Sequence, residues 1–175
     1  MNSEPVLMIG DSLIAEGNWQ SLLPELRVCK RGMPGETAQE LLHRLNRLAP
    51  ELTSCDMAVI MTGTNNLLME DYTFPQRIGD IISVLHKTHP EILLMVTSLL
   101  PFQAPWLAPG TIQRLNHMTQ SICQAEQVYF HDLYCIFASE SRGLFQADHI
   151  HLSETGYRVW AKSLCKIIAK HQKEH

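Results

Sequence analysis

The apolar run Pro5-Val-Leu-Met-Ile9 passes directly into Gly10-Asp11-Ser12-Leu13. A short, continuous apolar run bounded by turn residues is typical of a buried strand in a parallel sheet. Ser12 is therefore expected at the carboxyl end of a first strand, the edge where open α/β sheets bind their ligands. Two interpretations of Ser12 stay open here. It is either a nucleophile presented by a rigid strand or an ordinary turn residue, and these residues alone favour the turn.

Strands and helices alternate along the rest of the 175-residue chain. Strand-like runs follow at 26–30, 57–61, 92–96 and 128–130, and helical spacing recurs at 19–23, 38–50, 74–86, 111–126 and 153–170. Thr37 is predicted to cap the second helix, with Glu40 completing a capping box, and Pro50 is predicted to end it. The alternation predicts a single α/β domain over residues 1–175, with helices on both faces of a doubly wound parallel sheet. Right-handed crossovers then bring the carboxyl ends of all strands to one rim.

Composition narrows the partners and the compartment. The chain has a formal net charge of -4 and scattered basic residues, so no nucleic-acid partner is expected. No stretch reaches the ~18 consecutive apolar residues of a membrane span, and the first apolar run is too short for a signal peptide. The five cysteines are odd in number and lack CxxC spacing. They predict buried, reduced thiols in a cytoplasmic protein.

The segment Asp148-His-Ile-His151 precedes the last predicted helix and is expected on the same rim. A carboxylate three residues before a histidine can accept its Nδ1 proton and leave Nε2 free to take a proton from a hydroxyl. His149 is the competing base, but adjacent side chains point apart, so Asp148 is less well placed to hold it. Both histidines and the aspartate could instead ligate a metal, although no further protein ligand lies nearby in sequence. A structural role at the helix start is also open.

Two more rim loops offer hydrogen-bond donors for a developing oxyanion. A glycine in a tight turn lets its backbone N–H face a ligand, which suits Gly35. A side-chain amide supplies neutral N–H donors, which suits Asn65 or Asn66. Glycine and asparagine are also the usual residues of loops that need a positive φ, so a purely structural interpretation remains open for both loops.

Four stretches in this order closely resemble the four sequence blocks of the GDSL or SGNH hydrolases: Gly10-Asp-Ser-Leu13, Arg31-Gly-Met-Pro-Gly-Glu-Thr37, Gly63-Thr-Asn-Asn66, and Asp148-His-Ile-His151 followed by Gly156-Tyr157. The resemblance extends from Met8 to the final helix. It implies a flavodoxin-like three-layer α/β/α fold with a five-stranded parallel sheet in the order 2-1-3-4-5. It also implies that the protein uses no metal and no organic cofactor.

The resemblance further implies a role for each site residue: Ser12 as nucleophile, His151 as general base, Asp148 as its orienting acid, and an oxyanion hole made of the Ser12 N–H, the Gly35 N–H and the Asn65 amide. It selects Asn65 over Asn66 and His151 over His149. The chain departs from the family pattern at two points that support loops. Lys30 stands where the second block often has asparagine. Asn66 stands where the third block often has aspartate, as it does in sequences like the platelet-activating-factor acetylhydrolase catalytic subunits.

The expected substrate is a small-molecule carboxylic ester or thioester. The single sizeable rim insertion, Pro101 to Gly110, predicts a shallow site that favours short acyl chains, with Leu13, Phe102, Trp106 and Leu107 as substrate-binding residues. Equally, these aromatic side chains could only pack the loop onto the core. Four rival functions stay open: a lysophospholipase or thioesterase with a longer acyl preference, a non-catalytic binding module, a flavin-binding protein, and a metal-dependent hydrolase.

Overall fold

The computed structural model describes residues 5–140 and 143–174, with side chains to residue 169. Five strands are present in this part of the chain: β1 Val6–Gly10, β2 Val28–Gly32, β3 Met57–Met61, β4 Leu93–Thr97 and β5 Tyr129–His131. The helices that connect and flank them are α1 Ser12–Ala15, α2 Trp19–Leu22, α3 Ala38–Leu52, α4 Thr64–Leu68, α5 Phe74–Thr88, α6 Thr111–Ala125, α7 Leu133–Ser139 and α8 Glu154–Glu174.

All strand pairs in the sheet are parallel, and the strand order is β2-β1-β3-β4-β5. This confirms the predicted fold class and strand order. Strands β1 and β3 are buried along their whole length because neighbours flank them on both sides and helices cover both faces. The predicted strand positions were correct to within two residues at each end.

Two hydrophobic cores lie on opposite faces of the sheet. Successive β1 side chains alternate between them, since Leu7 and Ile9 pack with α3, α5 and α6, whereas Met8 packs with α1, α2, α7 and α8. The second core contains a buried aromatic cluster in which the Trp19 ring meets the Trp160 ring edge to face at 4.7 Å. This three-layer packing holds the β1 carboxyl end, and therefore Ser12, on a rigid scaffold.

Gly10 allows the ends of β1 and β3 to approach each other closely. A β-carbon at Gly10 would lie 1.8 Å from the Met61 carbonyl oxygen, and the φ of Gly10 is +153°. No other residue fits this position without moving a strand. The chain therefore turns sharply at the residue before Asp11.

One local prediction was wrong. Pro50 does not end α3, which continues to Leu52. The missing proline N–H falls in the last turn, where the Thr53 N–H and hydroxyl both donate to the Ala49 carbonyl and close the helix. The predicted Thr37–Glu40 capping box is confirmed.

The cysteine prediction was correct only in part. No disulfide joins any of the five cysteines, all of which lie in the described part of the chain; Cys55 and Cys123 are buried, and Cys29 is half-buried. Cys135 and Cys165 are exposed because they lie on the outer faces of amphipathic helices, where apolar sequence neighbours point to the other side. Within the described part of the chain, no helix is both long enough and apolar enough to cross a membrane.

Candidate active site

Ser12 is the first residue of α1 and follows β1 after a single residue. The Asp11 carboxylate caps this short helix by accepting the Leu13 N–H at 3.0 Å. The cap fixes the direction of the chain at Ser12, which is 9 % exposed. Because the first N–H groups of a helix have no acceptor within it, the Ser12 N–H is free to bind a ligand.

The Ser12 hydroxyl contacts the imidazole of His151, with 3.1 Å between Oγ and Nε2. On the other side of the ring, His151 Nδ1 lies 2.6 Å from Asp148 Oδ2. The second Asp148 oxygen accepts the backbone N–H groups of Ile150 and His151, each at 3.0 Å. A carboxylate, an imidazole and a hydroxyl thus form one continuous hydrogen-bonded chain.

These contacts shift the pKa values of both ionisable groups. The hydrogen bond from His151, together with the backbone donors, lowers the pKa of Asp148 to about 2. The same hydrogen bond raises the pKa of His151, which partial burial opposes and the nearby Glu16 carboxylate supports. Asp148 therefore stays ionised at neutral pH, and it makes the ring a stronger base.

His149 takes no part in this chain. Its backbone adopts a left-handed conformation with φ 60°, and its side chain lines a separate cavity of about 290 Å³ beside Phe137 and Phe145. Among the side chains of residues 5–140 and 143–169, no three His, Cys, Asp or Glu groups lie close enough together to hold a metal ion.

The two predicted donor loops are joined by the Asn65 side chain. Asn65 Nδ2 donates to the Glu36 carbonyl at 3.0 Å, which uses one of its two N–H bonds and leaves the other free. Gly35, the residue before Glu36, has φ +79°, and its N–H has no acceptor among the described residues. An added β-carbon at Gly35 would meet nothing within 4 Å, so the glycine is needed for its backbone conformation and not for space.

Asn66 has a different task from its neighbour. Its amide oxygen accepts the Ala38 N–H at 2.9 Å, and its amide nitrogen donates to Asp71 at 2.8 Å. It therefore connects the start of α3 to the loop after α4 and is 3 % exposed. Lys30 is the other residue that departs from the family pattern. Its Nζ donates to the Ala15 and Gly17 carbonyls and so holds the chain that follows α1.

A buried ion pair beneath Gly35 was not predicted from the sequence. Both Arg44 Nε and Nη2 contact the Glu36 carboxylate, at 2.5 and 2.7 Å, and Nη2 also donates to the Arg31 carbonyl at 3.0 Å. The Glu36 side chain is 2 % exposed and the Arg44 side chain 11 %. The only signal in the sequence was an arginine on the otherwise apolar face of α3.

Asp11 is a buried carboxyl next to the proposed nucleophile. Burial raises its pKa to about 7, against the lowering effects of the Leu13 N–H and the nearby Thr64 hydroxyl. Asp11 Oδ2 and Thr64 Oγ1 complete no hydrogen bond with any described residue. The neighbouring Glu36 carboxylate raises the Asp11 pKa further.

The four predicted substrate-binding residues do not form one surface. The Leu13 side chain is 1 % exposed and belongs to the core on the α8 side of the sheet, so it offers almost no surface to a substrate. Phe102 is 5 % exposed and packs into the opposite core, although with Leu107 it lines a cavity of about 390 Å³. Trp106 is 52 % exposed and lines another cavity, of about 370 Å³. Burial of this kind depends on the fold and is not visible in an aromatic-rich loop sequence.

Comparison with known proteins identifies a family whose sequence model matches this chain and relatives of similar sequence. The sequence model of the GDSL-like lipase/acylhydrolase family matches residues 8–159. Platelet-activating factor acetylhydrolase IB subunit alpha1 from Rattus norvegicus is 25 % identical over 185 residues, covering 97 % of this chain and 77 % of that protein.

Solved structures of low sequence identity share the fold. A lipase/acylhydrolase from Enterococcus faecalis superposes with a TM-score of 0.79 at 20 % identity, covering 96 % of each chain. A catalytic mutant of an acetylxylan esterase from Geobacillus stearothermophilus superposes with a TM-score of 0.74 at 17 % identity, covering 95 % of this chain and 94 % of that one. Catalytic mutants of that esterase replace a serine, an aspartate and a histidine, the last two lying three residues apart in its sequence.

Proposed function

The chain belongs to the GDSL-like lipase/acylhydrolase family, and from this premise we propose that it is a serine esterase that hydrolyses carboxylic esters or thioesters through an acyl-enzyme. The observation that carries the proposal is the hydrogen-bonded chain from Asp148 through His151 to the Ser12 hydroxyl. The equal spacing of the mutated aspartate and histidine in the acetylxylan esterase supports it.

In the proposed reaction, Ser12 Oγ attacks the acyl carbon while His151 Nε2 takes the hydroxyl proton. The negative charge that develops on the carbonyl oxygen is stabilised by the Ser12 and Gly35 N–H groups and by the free N–H of Asn65. The tetrahedral intermediate collapses when His151 returns the proton to the leaving alcohol or thiol. Water, deprotonated by the same nitrogen, then attacks the acyl-serine, and the carboxylic acid product leaves.

We further propose that the acyl site favours short chains. The segment from Pro101 to Gly110, after β4, is the single sizeable insertion at the rim, and a rim with so little added chain forms a shallow acyl site. Leu107 and the exposed Trp106 are the residues of that loop that remain available to line such a site. A series of p-nitrophenyl esters tests this, and a rate maximum at acetyl or butyryl is expected. A maximum at long acyl chains would instead favour a lysophospholipase or a long-chain thioesterase.

The decisive experiment compares the wild type with Ser12→Ala. We expect the variant to lose ~10⁶-fold in kcat, as in proteases whose catalytic residues act as a unit, and to lose covalent labelling by a fluorophosphonate probe. Ser54→Ala is the matched control, because Ser54 is an exposed serine whose hydroxyl only donates to the Glu51 carbonyl. Undiminished turnover in purified Ser12→Ala would overturn the mechanism. A wild type that neither turns over esters nor labels would favour a non-catalytic binding module.

A further inference from the structure

Glu16 lies beside the nitrogen that donates the proton to the leaving group. Its Oε1 is 3.7 Å from His151 Nε2, the same nitrogen that contacts the Ser12 hydroxyl. Nothing in the proposed reaction uses this carboxylate. Among the residues whose side chains are described, no lysine or arginine forms an ion pair with Glu16.

The chemistry of ester cleavage places the alcohol near Glu16. To receive its proton, the leaving oxygen must come within hydrogen-bond distance of His151 Nε2. The carbonyl oxygen must lie toward the donors on the Gly35 and Asn65 loops. The first atoms of the alcohol beyond the leaving oxygen are therefore close to the Glu16 carboxylate.

Glu16, which contacts His151, also lines a cavity of about 420 Å³ that is large enough for a small alcohol. Glu16 forms one of its walls. Leu152, the residue after His151, lies on another, and so does Tyr157, whose hydroxyl donates to the Leu13 carbonyl at 2.9 Å. The cavity thus touches the elements that hold both the nucleophile and the base. Its remaining lining residues are Asn18, Ser21, Leu22, Gln146 and Glu154.

Two charged groups near Glu16 already interact with other groups of the protein. Glu154, at the far end, forms an exposed ion pair with Arg158 at 3.2 Å. The Lys30 ammonium group donates to the Ala15 and Gly17 carbonyls, which belong to the residues on either side of Glu16 in the chain. The Glu16 carboxylate is therefore the charged group of this cavity that is available to interact with a bound alcohol.

We propose that this cavity is the leaving-group subsite of the proposed esterase, and that Glu16 makes it select esters of cationic alcohols over neutral or anionic ones. The inference rests on the proposed function, because it needs a leaving group at His151. A quaternary or primary ammonium two to four bonds from the ester oxygen lies near the Glu16 carboxylate while the Tyr157 ring and Leu22 cover the apolar part of the alcohol.

The test compares acetylcholine with 3,3-dimethylbutyl acetate, its uncharged isostere, so that acyl group and shape stay constant. For the wild type we expect kcat/KM to favour acetylcholine by roughly 3- to 5-fold at low salt, which is what a partly exposed charge pair contributes. The preference should shrink as ionic strength rises. Glu16→Gln is expected to bring the ratio close to one.

Glu91→Gln is the matched control, because Glu91 is an exposed carboxylate just before β4. It therefore lies at the amino ends of the strands, opposite the rim that carries Ser12. This variant should leave the acetylcholine preference unchanged. A second measurement does not depend on the alcohol. Glu16→Gln should move the acid limb of the kcat/KM profile for p-nitrophenyl acetate to lower pH, because the Glu16 charge stabilises protonated His151.

The outcomes separate the two proposals. If the wild type hydrolyses both acetate esters with a ratio near one, or if Glu16→Gln keeps the wild-type ratio, the leaving-group inference is wrong and the esterase proposal stands. If the wild type neither hydrolyses these esters nor reacts with a fluorophosphonate, both proposals fail. A loss of preference in Glu16→Gln but not in Glu91→Gln supports the subsite.

Discussion

The Asn65 side-chain amide donates a hydrogen bond to the Glu36 carbonyl at 3.0 Å and so joins α4, the helix after β3, to the loop after β2. The group that we propose as one oxyanion donor thereby helps to hold the loop that carries another, the Gly35 N–H. Because one hydrogen of the amide is already committed, the direction of the second is fixed before a substrate binds. Such preorganisation is what makes hydrogen-bond donors effective in catalysis.

The two adjacent asparagines allow a matched pair of variants. Asn65→Ala should lower kcat by ~10² to 10³-fold, because it removes one oxyanion donor, and should cost only about 1 kcal/mol of stability for the lost hydrogen bond to the Glu36 carbonyl. Asn66→Ala should instead destabilise the fold by about 1–3 kcal/mol, since it leaves the buried Ala38 N–H without its acceptor. Steady-state kinetics and urea denaturation distinguish the two effects. Equal stability losses in both variants would argue against separate roles.

The pH dependence of activity should reflect the raised pKa of His151. The proposed base acts in its neutral form, so kcat/KM should fall as the pH decreases through that pKa. Asp148→Asn removes the interaction that raises it, and the acid limb should move to lower pH while the plateau rate drops by ~10⁴-fold, as in the serine-protease triad. A pH–rate profile of both proteins decides this. An acid limb that stays in place would show that another group titrates.

Asp11 should make the folded protein less stable as the pH rises. Its pKa is about 7 in the folded protein and 3.8 as an ordinary aspartate, so folding favours the protonated form between these values. The free energy of unfolding should therefore decrease from about pH 4 to pH 7 through this group. Asp11→Asn keeps an acceptor for the Leu13 N–H but carries no charge, so it should match the wild type only at about pH 3.5, below the ordinary aspartate pKa, where Asp11 is protonated in the folded and the unfolded chain alike.

At pH 8, the same variant should be more stable than the wild type by on the order of 2–4 kcal/mol. Urea denaturation at the two pH values measures the difference between the proteins, which removes the contribution of the remaining carboxylates. A variant that is less stable than the wild type at pH 8 would contradict the assignment.

The buried Glu36–Arg44 pair should behave as a unit. Arg44→Met leaves the Glu36 carboxylate buried without its partner and should cost about 3–5 kcal/mol of stability. Glu36→Gln combined with Arg44→Met should recover much of that loss, because no unpaired charge remains. Thermal unfolding of the single and double variants gives the coupling free energy. Additive losses would mean that the pair contributes no coupling free energy.

Removal of divalent metals should leave the rate unchanged, because Ser12, His151 and Asp148 contact one another directly. Dialysis against a chelator, followed by an ester assay, checks this expectation. His149→Ala should likewise retain activity, since its side chain lines a separate cavity. Inactivation by the chelator, restored by a divalent cation, would favour a metal-dependent hydrolase. In that case His149, as one of the metal ligands, would be needed for activity.

Much of the fold and site was accessible from the sequence because strong local rules apply to it. Continuous apolar runs such as 57–61 predict buried parallel strands, and right-handed crossovers place their carboxyl ends on one rim. The distance along the chain between Asp148 and His151 is short enough for local geometry alone to join them. Helices of four to seven residues show little periodicity, so α1, α4 and α7 were not predicted, and of the described helices this short only α2 was.

By itself, the sequence determined the order of strands and helices, the likeness to a hydrolase family, and the identity of the serine, histidine and aspartate that meet at the rim. Only the tertiary structure decided which neighbours surround them. The loop residue 36, residue 44 of α3 and residues 65 and 66 of α4 are brought together, and Glu16 reaches His151 across more than a hundred positions of sequence. Local rules cannot see such contacts, because they depend on how β1, β3 and α8 pack in three dimensions.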